Sequence, residues 1–484
     1  MVWHRRSNSA HGEQMSNQVT REVLSRIDKL FMDRQGMSPK ESQLRREQHG
    51  LTVSVGDDLG ISAGLQLTLL TAINLGVRCF RSRVAVHASA GVWLSPCLVS
   101  IFSGMTVADA VSGLGGTPTV TNGSMRARRH LLLGNAQAEV ESLRATYDGW
   151  CVAVGPADEL PRLAERETCS LASIAAAAIG ISELFAEFAG LRITAARQLV
   201  TLSLWRPDCS IDDLLAQGPA IHELPESIGA FGLGHLGQAY IWGLATLPFS
   251  DVSKVNILLC DDDKLETANV ETGALLMGAD VGRLKTRFVS GWLETRGFST
   301  RLLERRVDGS FRLTDREPRI ALSGFDDNQA RQWLSDAGFA AVFDSGLGGE
   351  AANFDTIAYR TWPNPRTASE LWPIETEQER AERELRRLRD VTANEAYRGL
   401  QTDECGRVLI AGASIAVPFV GAVAACIVLA EMLKRVNGDG PTLDELKVRL
   451  CTLGTVRPVA RLNGVNSAPI RGLALQAARQ SETS

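Results

Sequence analysis

The residues best suited to chemistry are a glycine cluster, Gly232-Leu-Gly234-His-Leu-Gly237, and two acidic clusters, Asp261-Asp262-Asp263 and Asp326-Asp327, with Asn269, Arg283 and Lys285 between the acids. Glycines at this spacing accept positive φ and let a phosphate approach bare backbone N–H groups at a helix N-terminus. A carboxylate can take the two hydroxyls of a ribose. Asp263 stands 26 residues beyond Gly237, near the usual ~20, while Asp261 and Asp262 read better as an acidic turn, with Asp263 alone on the ribose. Cations and an amide just past that acid suit a triphosphate, and Asp326 or Asp327 can hold Mg²⁺ against phosphates.

The surrounding residues predict the elements that must position these groups. Ile228 to Phe231 reads as a strand running into the glycine turn, Ala239 to Leu247 as the helix after it, and Val255 to Cys260 as a second strand ending at the three aspartates. A third apolar run, Ile320 to Leu322, delivers Asp326 and Asp327 to the carboxyl end of another strand, beside the same crevice.

In this order the glycine loop, Asp261-x-Asp263, Asn269, Asp280-Val-Gly-x-x-Lys285, Asp-Asp-Asn-x-Ala-Arg331 and Asp344-Ser-Gly346 resemble the ThiF/MoeB/ubiquitin-activating superfamily of adenylating enzymes, over roughly residues 226–432. The resemblance implies that Gly232, Gly234, Gly237, Asp261, Asp263, Asn269 and Lys285 bind ATP, that Asp326 or Asp327 holds Mg²⁺, and that the C-terminal glycine of a ubiquitin-like protein becomes an acyl adenylate. It also implies a following thioester on a cysteine and transfer to a ubiquitin-conjugating-like partner. Cys405 is the candidate thiol, in the polar segment Gln401-Thr-Asp-Glu-Cys405-Gly between a charged helical insert and an apolar helix; Cys79, Cys151, Cys260 and Cys426 lie in apolar patterns and read as core. Two departures stand out. Thr272 occupies the position where the family places an arginine, and the metal aspartate fits two registers, with Asp326 favoured when Ala330-Arg331 is aligned. Activation of a sulfur carrier or peptide without a thioester, and a nucleotide-binding scaffold without activity, remain open. A nicotinamide dehydrogenase would share the glycine loop but has no use for the Asn269, Lys285 and Asp-Asp-Asn sequence.

At 484 residues the chain exceeds one ordinary core, and ~150 residues per domain points to two or three. A net charge of -5 gives no reason to expect nucleic-acid binding. Nine cysteines without a Cys-x-x-Cys pair indicate neither a disulfide framework nor zinc, and Thr361-Trp-Pro363 stands where relatives carry the first zinc pair. The first 25 residues are polar and read as a frayed tail without a signal peptide, so a cytoplasmic location is expected. Val408 to Ala430 is uncharged and long enough to span a bilayer, but its Gly412, Pro418 and Gly421 favour a loop and a buried helix, so no membrane is expected.

Read in order, residues 20–48 are a charged helical segment. Leu51 to Val55 reads as a strand, Ile61 to Leu75 as a helix, Val77 to His87 as a strand, Trp150 to Val154 as a strand, Leu171 to Phe188 as a helix and Leu199 to Trp205 as a strand. The second half closes in the same way, with Val408 to Ile410, Ile415 to Leu433 and Leu446 to Leu453, and Ala172-Ser-Ile-Ala is echoed by Ala413-Ser-Ile-Ala. The expected fold is therefore α/β, with two Rossmann-like (ThiF-type) domains in tandem: residues 1–45 a tail and helical segment, 46–215 an inactive pseudo-adenylation domain, and 222–484 the ATP-binding domain with a crossover insert near 350–405. The first copy lacks the glycine fingerprint and the acids. Such a fused arrangement of bacterial appearance works as a monomer with an internal pseudo-dimer, or as a homodimer. In relatives an arginine from the partner's N-terminal segment reaches the triphosphate, which makes Arg45 and Arg46 the candidates here.

Overall fold

The computed structural model describes residues 20–81, 84–120, 130–137, 141–276, 278–438, 440–456, 458–462 and 472–474; most of the N-terminal tail lies outside them. Helix α1 (Arg26–Gln35) starts where the Ser25 side chain accepts from two backbone N–H groups and stops at Gly36 in the left-handed region, φ 66°. Helix α2 (Pro39–Gln48) follows a Ser38/Glu41 capping box with proline in its first turn.

The first half continues through β1 (Thr52–Val55), α3 (Ala63–Phe80), β2 (Val84–Ala88), α4 (Ala90–Leu94), α5 (Val107–Gly113), β3 (Gly116–Val120), β4 (Leu131–Leu133), β5 (Leu143–Asp148), β6 (Cys151–Pro156), α6 (Ser170–Phe188) and β7 (Val200–Ser203). The second half comprises β8 (Glu223–Pro225), β9 (Ser227–Phe231), α7 (His235–Ala245), β10 (Asn256–Cys260), α8 (Lys285–Glu294), β11 (Ser299–Leu303), β12 (Ile320–Ser323), α9 (Asn328–Ser335), β13 (Ala341–Leu347) and β14 (Thr356–Trp362). It closes with α10 (Ala368–Leu371), α11 (Glu377–Ala393), α12 (Glu395–Arg398), α13 (Glu404–Ala411), α14 (Pro418–Asn437), β15 (Leu443–Arg449), β16 (Val459–Leu462) and β17 (Gly472–Ala474).

Two parallel-rich sheets result, and their strand orders repeat: β3-β2-β1-β4-β5-β6-β7 in the first and β11-β10-β9-β12-β13-β14-β15-β16 in the second, while β8 and β17 form a separate pair. In each, five parallel strands are extended by antiparallel ones. The order reverses between β9 and β12, so a crevice opens at their carboxyl ends.

Helices α3 and α6 of the first half face α7 and α14 of the second, making a buried layer between the sheets. Close approach needs a small residue: a Cβ on Gly243 would stand 2.6 Å from a Leu429 methyl. The Phe185 and Phe419 rings meet at 5.6 Å, and Trp242 Nε1 donates to Thr71 Oγ1 across the halves. Helices buried on all sides are apolar all round. That is why α3 and α6 are long and apolar enough to cross a membrane while 89% of each apolar stretch is buried inside the protein.

Several boundaries differ from the sequence reading. The expected strand Val77 to His87 is the end of α3 as far as Phe80, then Arg81 in the left-handed region (φ 50°), then β2. Val408 to Ile410 is helical, within α13, and the bilayer-length run through Ala430 is broken between α13, which stops at Gly412, and α14, which Pro418 opens. Ala172-Ser-Ile-Ala lies inside α6, but Ala413-Ser-Ile-Ala lies in the loop before α14, so the tetrapeptides are not equivalent although the strands are.

Candidate functional site

The glycine turn is held by close contact. Gly232 has φ +78°, and a Cβ on Gly237 or Gly324 would approach its carbonyl oxygen to 2.0 or 2.7 Å, so these three glycines let the turn, α7 and the end of β12 touch. Gly234 differs: nothing lies within 4 Å of where its Cβ would be. It is the N-cap of α7 and provides no side-chain cap, so the first N–H groups of α7 stay available to an anion. Beside it, burial pushes the His235 imidazole down to about 4 despite a hydrogen bond to the Pro418 backbone, and a Cβ on Gly421 would approach its Nε2 to 2.4 Å.

At the end of β10, Asp261 braces this turn. Its carboxylate accepts from Leu233 N–H (2.6 Å) and Asp263 N–H (2.8 Å). Burial pushes its carboxyl up, opposed by Lys285 at 3.7 Å and by those N–H groups. Asp263 is exposed and accepts from Lys285 Nζ at 2.8 Å. Burial works against the lysine's charge, but Asp261 and then Asp263, with Asp326 beyond, hold it above the ordinary lysine range. Asp262 turns outward to Arg306, 2.9 Å away.

Asp326 and Asp327 separate cleanly. Asp327 is the N-cap of α9, its carboxylate accepting from Gln329 N–H at 2.9 Å. Asp326 is exposed, faces Lys285, and has no hydrogen bond or ion pair among the described residues. Arg331 reaches back from α9 to the Phe325 carbonyl, to Asn328 Oδ1 (2.8 Å) and to the fully buried Asp344 (2.9 Å). Asn269 is spent on its own loop, accepting from Glu266 N–H at 2.9 Å, and Thr272 is buried with its hydroxyl on the Asn269 carbonyl. Thr272 therefore offers nothing to a phosphate.

Arg45 and Arg46 are not at this mouth. Arg46 is wholly buried, bonding the Cys79 and Arg78 carbonyls, Asp28 (2.8 Å) and, across the halves, Glu271 (2.8 Å). Arg45 bonds the Phe188 carbonyl and Gln35 and stacks on Phe31 and Phe188. Both fasten α2 in place. The N-terminal segment sets Arg26, a residue that the sequence reading missed, against the loop that follows Asp263, beside Glu266. Its Nη1 is buried without a hydrogen-bond partner among the described residues, its charged neighbours are Arg21, Glu266 and Glu22, and the Glu22 carbonyl accepts from Ala268 N–H at 2.8 Å in the loop that follows Asp263. Its signal was its place as first residue after the Ser25 cap, at the end of α1 rather than of α2.

Cys405 is the one exposed cysteine of nine; it sits in the first turn of α13 rather than on an irregular stretch. Cys79, Cys151, Cys260 and Cys426 are buried, and burial raises all four thiols. The insert that carries Cys405 packs on α1 through Met32, Tyr397 and Ile410, with Tyr397 Oη donating to Asp33 at 2.5 Å.

The matching place in the first half is filled from within. Asp57–Ile61 forms a tight helical turn whose Asp58 carboxylate accepts from Asn135 N–H (3.1 Å) and pairs with Arg162 (2.5 Å). At the N-terminus of α3, Glu167 accepts from Gly64 N–H and the Ser62 hydroxyl, both at 2.7 Å. Two carboxylates thus occupy the end of the sheet where an anion would otherwise go.

Comparison with known proteins matches residues 50–204 to the BilD N-terminal domain and residues 224–439 to the BilD C-terminal domain. The bacterial E1-like protein BilD of Collimonas sp. (strain OK412) is 33% identical over 425 residues, covering 86% of this chain and 89% of that protein. Among solved structures, E. coli MccB is similar at a TM-score of 0.33 and 13% identity over 53% of this chain and 68% of that one, and E. coli MccB with ATP at 0.32 and 14% over 51% and 66%.

Proposed function

The chain belongs to the BilD family of bacterial E1-like proteins, and from that we propose that it adenylates the C-terminal glycine of a ubiquitin-like protein with ATP, releasing pyrophosphate. The observation that carries the reading is the convergence at the carboxyl ends of β9, β10 and β12: an uncapped helix N-terminus behind the glycine turn, Lys285 held between Asp261 and Asp263, and Asp326 uncommitted beside them.

The α7 N–H groups take phosphate oxygens and Asp263 takes the ribose hydroxyls, which requires Lys285 to leave it for the phosphates. Asp261 stays on the turn as a brace. Asp326 and not Asp327 is the carboxylate suited to Mg²⁺, which supplies charge neutralisation when bound, because Asp327 is committed to its helix. Arg26 supplies the cation that Thr272 cannot. The substrate's terminal carboxylate attacks the α-phosphorus, the bond to the bridging oxygen breaks, and pyrophosphate carries that electron pair away. Cys405 Sγ, as thiolate, then attacks the acyl carbonyl and expels AMP, giving a thioester for a conjugating partner; its exposure beside eight buried or half-buried cysteines favours it.

In this reading residues 222–484 form the ATP-binding domain and residues 46–215 an inactive packing partner, supported by Asp58 and Glu167 standing where a phosphate would bind. The test is ATP–pyrophosphate exchange with ubiquitin-like proteins encoded beside this chain. Substrate-dependent exchange is expected; ATP binding without exchange for any of them would leave the scaffold reading.

A further inference from the structure

Strands β13 to β16 carry a row of charges. Asp344 lies directly opposite Arg360, Arg360 opposite Glu445, and Glu445 opposite Arg461, so their side chains share one face of the sheet. Asp344 is satisfied by Arg331 and by Trp372 Nε1, each at 2.9 Å. Glu445 is satisfied by Arg366 (2.9 Å) and Arg461 (3.3 Å). Arg360 shares these carboxylates only at a distance: four guanidiniums meet two carboxylates, Asp344 and Glu445 both act on its charge, and it makes no hydrogen bond or ion pair among the described residues.

Its position says what it can meet. A Cβ on Gly346 would stand 3.7 Å from Arg331 Nη2 and 3.8 Å from Arg360 Nη1, so Arg360 leans over the end of β13, where Gly346 and the opposed Ala358 make a floor of small residues. Arg331 in turn touches the Phe325 carbonyl, next to Asp326. From the glycine turn on β9 to the end of β13 is two strand steps through β12, or about 10 Å. An extended peptide covers that distance in about three residues.

Resting on the adenylation reading above, we infer that Arg360 is a specificity-determining residue for the incoming tail, pairing with an acidic side chain about three residues before the reacting glycine. A guanidinium and a carboxylate match in geometry as well as charge.

The test uses acetylated peptides ending in glycine, and a ubiquitin-like protein that supports exchange, with Glu, Gln or Lys placed in turn at the second to fifth positions from the C-terminus. The full-length enzyme should show a KM at least about tenfold lower for Glu than for Lys at one of these positions, a difference of about 1.4 kcal/mol, with kcat unchanged. Arg360→Glu should reverse that preference, and Arg360→Gln should abolish it at an unchanged Kd for ATP, which also reports that both variants fold. Exchange by the wild type without a charge preference, or a preference that Arg360→Glu leaves in place, overturns the inference alone. A weakened Kd for ATP in Arg360→Gln overturns it in favour of a phosphate contact. No exchange with any substrate would overturn the adenylation reading and this inference with it.

Discussion

Removing each carboxylate of Asp326-Asp327 should produce opposite signatures. Asp327 caps α9 through one hydrogen bond to Gln329 N–H, and loss of such a cap costs about 1 kcal/mol. Spread over a unit of this size, that lowers Tm by about 2–4 °C. Asp326 is exposed and bonds to nothing among the described residues, so Asp326→Ala should change stability by no more than about 0.5 kcal/mol. If it holds the metal that neutralises the phosphates, losing it should slow exchange by about 10²–10³, or about 2.7–4 kcal/mol on the barrier. Asp327→Asn is the control, because asparagine caps as well as aspartate: neither Tm nor exchange should move. The assay is pyrophosphate exchange with a ubiquitin-like protein that supports wild-type turnover, alongside thermal unfolding. Wild-type exchange in Asp326→Ala, or abolished exchange at unchanged Tm in Asp327→Asn, would refute the reasoning.

The arginines divide in the same way. Arg26→Ala should weaken ATP binding or exchange by tenfold or more at little cost in Tm, whereas Arg46→Ala, which removes the only ion-pair partner of the buried Asp28 among the described residues, should destabilise the fold by about 3–5 kcal/mol; equal losses of exchange at equal Tm would count against this division. Cys405→Ser should keep exchange and lose any reductant-labile adduct, and a persisting adduct in mass spectrometry would move the thioester to another cysteine. Calorimetry on the whole chain should find one ATP site; two would show that Asp58 and Glu167 do not block the first half. His235 binds a proton more readily in the unfolded chain, since its folded value is about 4 against an ordinary 6.5. Its contribution to stability is therefore full above pH 6.5 and falls away toward pH 4, so in denaturant titrations His235→Gln should lose less stability than the wild type over that interval.

Sequence alone determined what is local. A glycine turn between an apolar strand and an apolar helix, a second strand ending in aspartates and a third delivering Asp326 each lie within one strand–turn–helix unit, where residue type dictates backbone conformation directly. Parallel pairing then brings the strand ends together, and the repeated order of elements foreshadowed two sheets of the same strand order. The tertiary structure decided the rest. Whether an arginine in a charged helical segment reaches a phosphate or ties down a neighbouring helix depends on which end of α1 or α2 meets the second half, and nothing in the charge pattern of residues 20–48 distinguishes Arg26 from Arg46. Likewise α3 runs on to Phe80 because it is packed by distant elements, and an apolar run buried on every side has no period from which helix or strand can be read; at Val408 to Ile410, three apolar residues of which only Ile410 is buried are too short a run to show the period of α13. The same cause explains the two roles in Asp326-Asp327: one carboxylate is taken by the helix that begins there, and only the direction in which α9 leaves the sheet leaves the other facing Lys285.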